Sequence, residues 1–167
     1  MFLLSGMKKM IQRMVKNNKK KVPVYIPVLH GNLLIGRTAL ITGGTSGIGF
    51  SIAKVFLQNG ATVVITGRNQ ERLDLAVNQL KEINCSVYGF VLDCADTKSF
   101  QVRFLEIVQN LNNIKIDILV NNAGINKGSV FGNTTEEDYE DILNSNMKGT
   151  FFISNCCSIY EGKQYSG

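Results

Sequence analysis

The chain has 167 residues, 44% hydrophobic and 19% charged, which suits one globular domain with a sizeable core and excludes a low-complexity polymer. Its net charge of +5 is unevenly spread: residues 1–70 hold ten Lys or Arg and no acid, whereas residues 71–167 hold eight basic and thirteen acidic residues. The excess therefore belongs to an N-terminal tail and says nothing for a nucleic-acid face on the domain, so no nucleic-acid partner is expected.

In the tail, Met7, Met10, Ile11, Met14 and Val15 recur at helical spacing between Lys8, Lys9, Arg13 and Lys16. This short basic amphipathic pattern suits a membrane-surface or partner-docking helix, or equally a frayed tail or a helix on the protein's own surface. Pro23 and Pro27 stop any helix there, and residues 1–35 are expected to stand apart from a domain over 36–167.

From Arg37 the text is regular. Strands are expected at "TALIT" (38–42), "ATVVIT" (61–66), "SVYGFVLD" (86–93) and "IDILVNN" (116–122). Helical patterns lie between them at 48–57, 69–83 and 98–111, and a long helix begins near Glu136. Strands alternating with helices of this length imply an α/β, Rossmann-like doubly wound parallel sheet with right-handed crossovers. The strands are almost continuously apolar, as expected where helices cover both faces.

Four cysteines without a C-x-x-C pair, and a single histidine, His30, offer no metal site. Reduced thiols point to the cytoplasm. No apolar run reaches the ~18 residues of a membrane span, and the opening "MFLLSGMKKM" has its apolar stretch before its charges, the reverse of a secretory signal.

"TGGTSGIG" (42–49) joins the first strand to the first helix. A helix mouth there presents unpaired N–H groups, which with the helix dipole favour a pyrophosphate. Gly43 permits the sharp exit from the strand, Gly47 lets the backbone approach an anion, and Gly49 lets the helix pack closely. Ser46 adds a hydroxyl donor. No Gly-Lys-Ser/Thr follows, so a P-loop is excluded.

The spacing Gly43-x-x-x-Gly47-x-Gly49 after Thr42 resembles the short-chain dehydrogenase/reductase family, including its members like the 3-oxoacyl-acyl-carrier-protein reductases. Three further stretches match in the family's order: "LDCAD" (92–96), "NNAG" (121–124) and "NSNMKGTFF" (144–152). The resemblance covers residues 36–167. It implies cofactor contacts from Gly43, Thr45, Ser46, Gly47, Ile48 and Gly49, from Asp93 and Cys94, and from Asn121, Asn122, Ala123 and Gly124. Asp93 corresponds to the family's adenine-contacting aspartate, and Asn146 to its active-site asparagine. Asn121 either serves the cofactor or bridges adjacent strands, and Asp96 reads as the N-cap of the third helix.

The second strand ends "VITGRN", with Arg68 where an NAD site usually keeps an acid, and no acid before Glu71. A guanidinium suits a 2′-phosphate, so NADP(H) is favoured over NAD(H), unless Arg68 only decorates a helix start. Thr45 and Ser46 leave the loop without the second basic residue that some NADP-binding relatives use.

Thr134 or Thr135 is expected to cap the long helix, each having an acid three residues on. Tyr139, Ile142, Leu143 and Ile153 form its apolar stripe, which Asn146 shares. A buried amide needs partners, either backbone groups or, as the resemblance implies, a water in the proton path to a catalytic lysine.

The resemblance further implies a catalytic serine, and a tyrosine with a lysine four residues on that makes the phenol a usable acid-base. None of the five tyrosines has that lysine: Tyr160 is followed by Lys163 at three and Gln164 at four, and Tyr165 by two residues only. Ser154 and Ser158 fall within the expected helix. "EGKQYSG" reads instead as a turn leading to a further strand, so the chain is expected to be an N-terminal fragment, inactive alone. It keeps the cofactor site of an oxidoreductase acting on a small carbonyl or alcohol. The alternative is a non-catalytic dinucleotide- or partner-binding protein. "IDILVNN" would then be an open sheet edge. Relatives often pair through the long helix and the next, so the resemblance implies a homo-oligomer, which the residues do not fix.

Overall fold

The apolar β-branched runs pair in parallel in a computed structural model that describes residues 31–112, 115–128 and 132–164, the last four of these by backbone alone. The elements are β1 (Thr38–Ile41), α1 (Gly47–Gln58), β2 (Thr62–Gly67), α2 (Gln70–Lys81), β3 (Val87–Val91), α3 (Phe100–Asn110) and β4 (Ile118–Val120). There follow α4 (Glu136–Leu143), a π-helical turn (Asn144–Lys148) and α5 (Gly149–Gln164). The amphipathic tail pattern and Tyr165 lie outside the described residues.

The sheet runs β3-β2-β1-β4, all parallel, so the expected doubly wound α/β fold is present in part. Because strand side chains alternate, neighbouring residues feed two cores. Leu40 and Val64 meet Phe100, Phe104, Ile107 and Ile153 on one face. Ile41, Val63 and Ile65 meet Ala53, Leu57, Leu73 and Leu80 on the other. Each fully buried Leu, Ile or Phe contributes roughly 1.5–3 kcal/mol of apolar transfer free energy. Only the central strands are covered on both faces: on β3, Tyr88 and Val91 are exposed, because an edge strand outruns the helices.

Asp117 holds the β1–β4 pairing at its start. Its Oδ2 accepts from the Thr38 N–H at 3.0 Å, and its Oδ1 accepts from Arg37 at 3.0 Å. Residues before β1 also pack on the domain, since Leu34 N–H donates to the Asn59 carbonyl at 2.9 Å.

Several expectations at element ends are corrected. Ser99, not Asp96, stands at the N-cap of α3, with no side-chain bond to the helix; the Asp96 carbonyl closes a preceding turn with Ser99 N–H at 3.3 Å. Thr135 rather than Thr134 caps α4, in a reciprocal capping box with Asp138. The long helix is interrupted by the π-turn, and Tyr139 is exposed rather than part of a buried stripe. The backbone from Glu161 to Gln164 continues α5, where a turn was expected.

Candidate functional site

At the carboxyl ends of β1, β2 and β3 lies a cleft of about 370 Å³. Of the residues the sequence pointed to, it brings together Gly43, Thr45, Ser46, Arg68, Asp93, Cys94, Asn122, Ala123 and Gly124. Gly47, Ile48, Gly49, Asn121 and Asn146 do not line it. Each of them can be placed.

The glycine loop is shaped by close approaches. Gly43 has φ +66° and Gly47 φ +58°, left-handed conformations that disfavour a Cβ. A Cβ on Gly43 would sit 2.9 Å from the Ala123 Cα, whereas Gly47 faces open space with nothing within 4 Å. Gly49 is buried against Asn122 and the Gly43 carbonyl. Ser46 stands at the N-cap of α1 without a side-chain capping bond, and Phe50 N–H is the first to reach a carbonyl, that of Ser46 at 3.3 Å. The first-turn amides before Phe50 are therefore left for solvent or an anion. Ile48 projects outward, 74% exposed.

Thr42 ties this loop to the end of β4. Its hydroxyl accepts from Asn122 N–H (3.1 Å) and Ala123 N–H (3.0 Å) and donates to the Val120 carbonyl (3.4 Å). The bridge between strand ends is made by Asn122, whose Nδ2 donates to the carbonyls of Thr42 and Gly43, both at 3.0 Å. Asn121 turns to Ser154 instead, Nδ2 to Oγ at 3.1 Å.

Asn146 lies in the π-turn and braces the irregular segment after "NNAG". Its Oδ1 accepts from Ile125 N–H at 2.8 Å and its Nδ2 donates to the Ile125 carbonyl at 2.9 Å. Each group keeps further capacity, one hydrogen on Nδ2 and one lone-pair direction on Oδ1. Three residues on, Gly149 passes so close to the Cys94 carbonyl oxygen that a Cβ would overlap it. This explains the small residue at that spacing: the turn holding Asn146 packs directly on the loop holding Asp93 and Cys94.

The electrostatics of the cleft are simple. Burial, with help from the Asp93 charge and against the pull of Arg68, pushes the Cys94 thiol up to about 11, so it stays protonated and unreactive near neutrality. Asp93 accepts from the Ala95 N–H at 3.0 Å and makes no ion pair among the described residues. No cluster of His, Cys, Asp or Glu that would hold a metal occurs among the described residues. Residues not singled out in the sequence also line the cleft, among them Gly67, Asn69, Arg72, Leu92, Ile125 and Ser145. Tyr160 lies elsewhere, half-buried against Phe104 with ring centroids 5.8 Å apart.

The sequence profile of the family described as short chain dehydrogenase matches residues 37–165. The chain belongs to the short-chain dehydrogenase family. Similar curated members include a 3alpha-hydroxysteroid dehydrogenase of Mediterraneibacter gnavus, 34% identical over 81% of this chain and 54% of its own length. A 3-oxoacyl-acyl-carrier-protein reductase of Thermotoga maritima is 35% identical over 80% of this chain and 54% of its own length. Among solved structures, a short chain dehydrogenase of Burkholderia cenocepacia in complex with NADP superposes with TM-score 0.69 at 31% identity, covering 76% of this chain and 51% of that one. The chain thus spans about half the length of the curated relatives it matches. Among the described residues, no helix is long and apolar enough to cross a membrane.

Proposed function

We propose that this chain supplies the dinucleotide-binding part of an oxidoreductase that moves hydride between NADP(H) and a small carbonyl or alcohol. The observation that carries the reading is the cleft at the strand ends. It is lined by Ser46 at the N-cap of α1, by Asp93 just after β3 and by the exposed Arg68 directly after β2, and the open first-turn amides of α1 follow Ser46 outside the cleft's own lining. Those residues suit the cofactor part by part. The amides at Ser46–Gly49 would take the diphosphate, Asp93 beside Cys94 the adenine, and Arg68 the 2′-phosphate. Asn121–Gly124 would border the cofactor further on. When bound, the dinucleotide supplies the hydride. The part played by Asn146 in this reading is to hold the Ile125 backbone and, with its remaining hydrogen-bond capacity, a water near the reacting end.

No tyrosine in the sequence is followed by lysine at four residues, so we read this chain as lacking its own acid-base and as inactive alone. A second reading is a non-catalytic dinucleotide- or partner-binding protein, in which β4, at one edge of the sheet among the described residues, would meet the partner. We further read residues 1–35 as a tail whose last residues, from Gly31, dock on the domain, and 36–167 as part of the nucleotide-binding domain, with a cytoplasmic location and assembly with a second copy.

The test is calorimetric titration with NADP+ and NAD+, with a carbonyl-reduction assay alongside. Tighter binding of NADP+ that Arg68→Ala removes, without turnover, is expected. Equal affinities unchanged by Arg68→Ala would contradict the cofactor assignment, and turnover lost on Tyr165→Phe would contradict the inactive reading.

A further inference from the structure

Resting on the NADP(H) reading, we propose that Arg72 is a second cation for the 2′-phosphate, and so a residue that sets cofactor choice. The glycine loop, with Thr45 and Ser46, offers no basic residue for this task. The cleft obtains one from α2. Asn69 caps that helix, and its side chain accepts from the Arg72 N–H at 2.9 Å, which pins the backbone of Arg72 one turn after Arg68. Both arginines line the cleft, as do Gly67 and Thr45.

Charge at this rim is unbalanced. Both arginines are exposed, and neither pairs with a carboxylate among the described residues. In the same turn, Asp74 is engaged by Gln70 at 2.8 Å. Asp93, the carboxylate that lines the cleft, is engaged by the Ala95 N–H. A cation in the first turn of a helix opposes the macrodipole, which Glu71 in the same turn favours. The two arginines outnumber Asp93, the one carboxylate that lines the cleft with them. A phosphate monoester dianion would supply the charge partner that neither arginine has, and bidentate geometry suits it better than a neutral hydroxyl.

The experiment is titration of the full chain and its Arg72→Gln variant with NADP+, NAD+, 2′-AMP and 5′-AMP. Arg72→Gln is expected to weaken NADP+ and 2′-AMP by about tenfold or more, the loss of one charge-assisted contact, and to leave NAD+ and 5′-AMP unchanged. Arg68→Gln is titrated in parallel. NADP+ weakened by Arg68→Gln but not by Arg72→Gln would overturn the role of Arg72 and leave the NADP(H) reading standing. NADP+ and NAD+ weakened equally by Arg72→Gln would also overturn it. Equal affinity for both dinucleotides in the unmodified chain would sink the underlying reading. Because Arg72 is exposed, its variant should keep the urea midpoint of the parent, which separates lost binding from lost folding.

Discussion

Thr42 and Thr66 stand at the ends of neighbouring strands with the same hydroxyl in opposite circumstances. Thr42 Oγ1 serves two backbone N–H groups and a carbonyl. Thr66 Oγ1 is buried with no partner. Valine has the same shape without the hydroxyl, so the two substitutions should differ in sign. Thr42→Val leaves two amides unsatisfied and should cost about 1–3 kcal/mol; Thr66→Val removes an unpaired polar atom and should gain up to about 1 kcal/mol. Urea unfolding of both variants checks this, and equal effects would contradict the hydrogen-bond assignment. Gly149→Ala poses a similar contest. Helix propensity alone favours alanine by ~1 kcal/mol, but the added Cβ meets the Cys94 backbone carbonyl, which cannot swing away as a side chain would. Overpacking of about 1–3 kcal/mol should win, so the variant should unfold at lower urea; the open-sided Gly128→Ala is the neutral control.

At the scale of elements, the strand–helix alternation was legible because each run carries its own period and its own turn glycines. The observed order β3-β2-β1-β4 returns β4 to the side of β1, a step that the alternation by itself does not fix. What stayed hidden depends on contacts far apart in the chain. The role of Thr42 is set by Asn122 and Ala123, 80 and 81 residues away, and Arg72 reads as an ordinary helix-surface residue until the fold brings it to the rim beside Thr45. The π-turn has no composition of its own, since it reflects how Asn146 and Gly149 are seated on Ile125 and Cys94. Asp117, which joins the starts of β1 and β4, predicts a pH effect. Burial pushes its carboxyl up, but the Thr38 N–H, Arg37 and Lys115 outweigh that and hold it below its usual value of 3.8. A depressed pKa stabilises the fold above the unfolded value and loses that stabilisation as pH falls through the folded one. The parent and Asp117→Asn should therefore differ in stability at pH 6 and converge below about pH 4. A gap that persists undiminished into strong acid would contradict the pairing.

For the molecule as a whole, two cores on either face of one sheet hold three strand ends in register, and the cleft exists only because they end together. In the proposed reading that edge faces a nucleotide, and the chain's own residues supply the geometry: left-handed glycines shape the loop before the α1 amides, Thr42 locks that loop to the end of β4, and Asn146 holds the Ile125 backbone. The amide spectrum of the isotopically labelled chain, recorded during titration with NADP+, tests this most directly. The account predicts saturable shifts concentrated at Ser46–Gly49, Arg68 and Asp93–Ala95, with the α3 and α5 helices unmoved. A well-dispersed, folded spectrum in which the Ser46–Gly49 amides do not respond to millimolar NADP+ would contradict it.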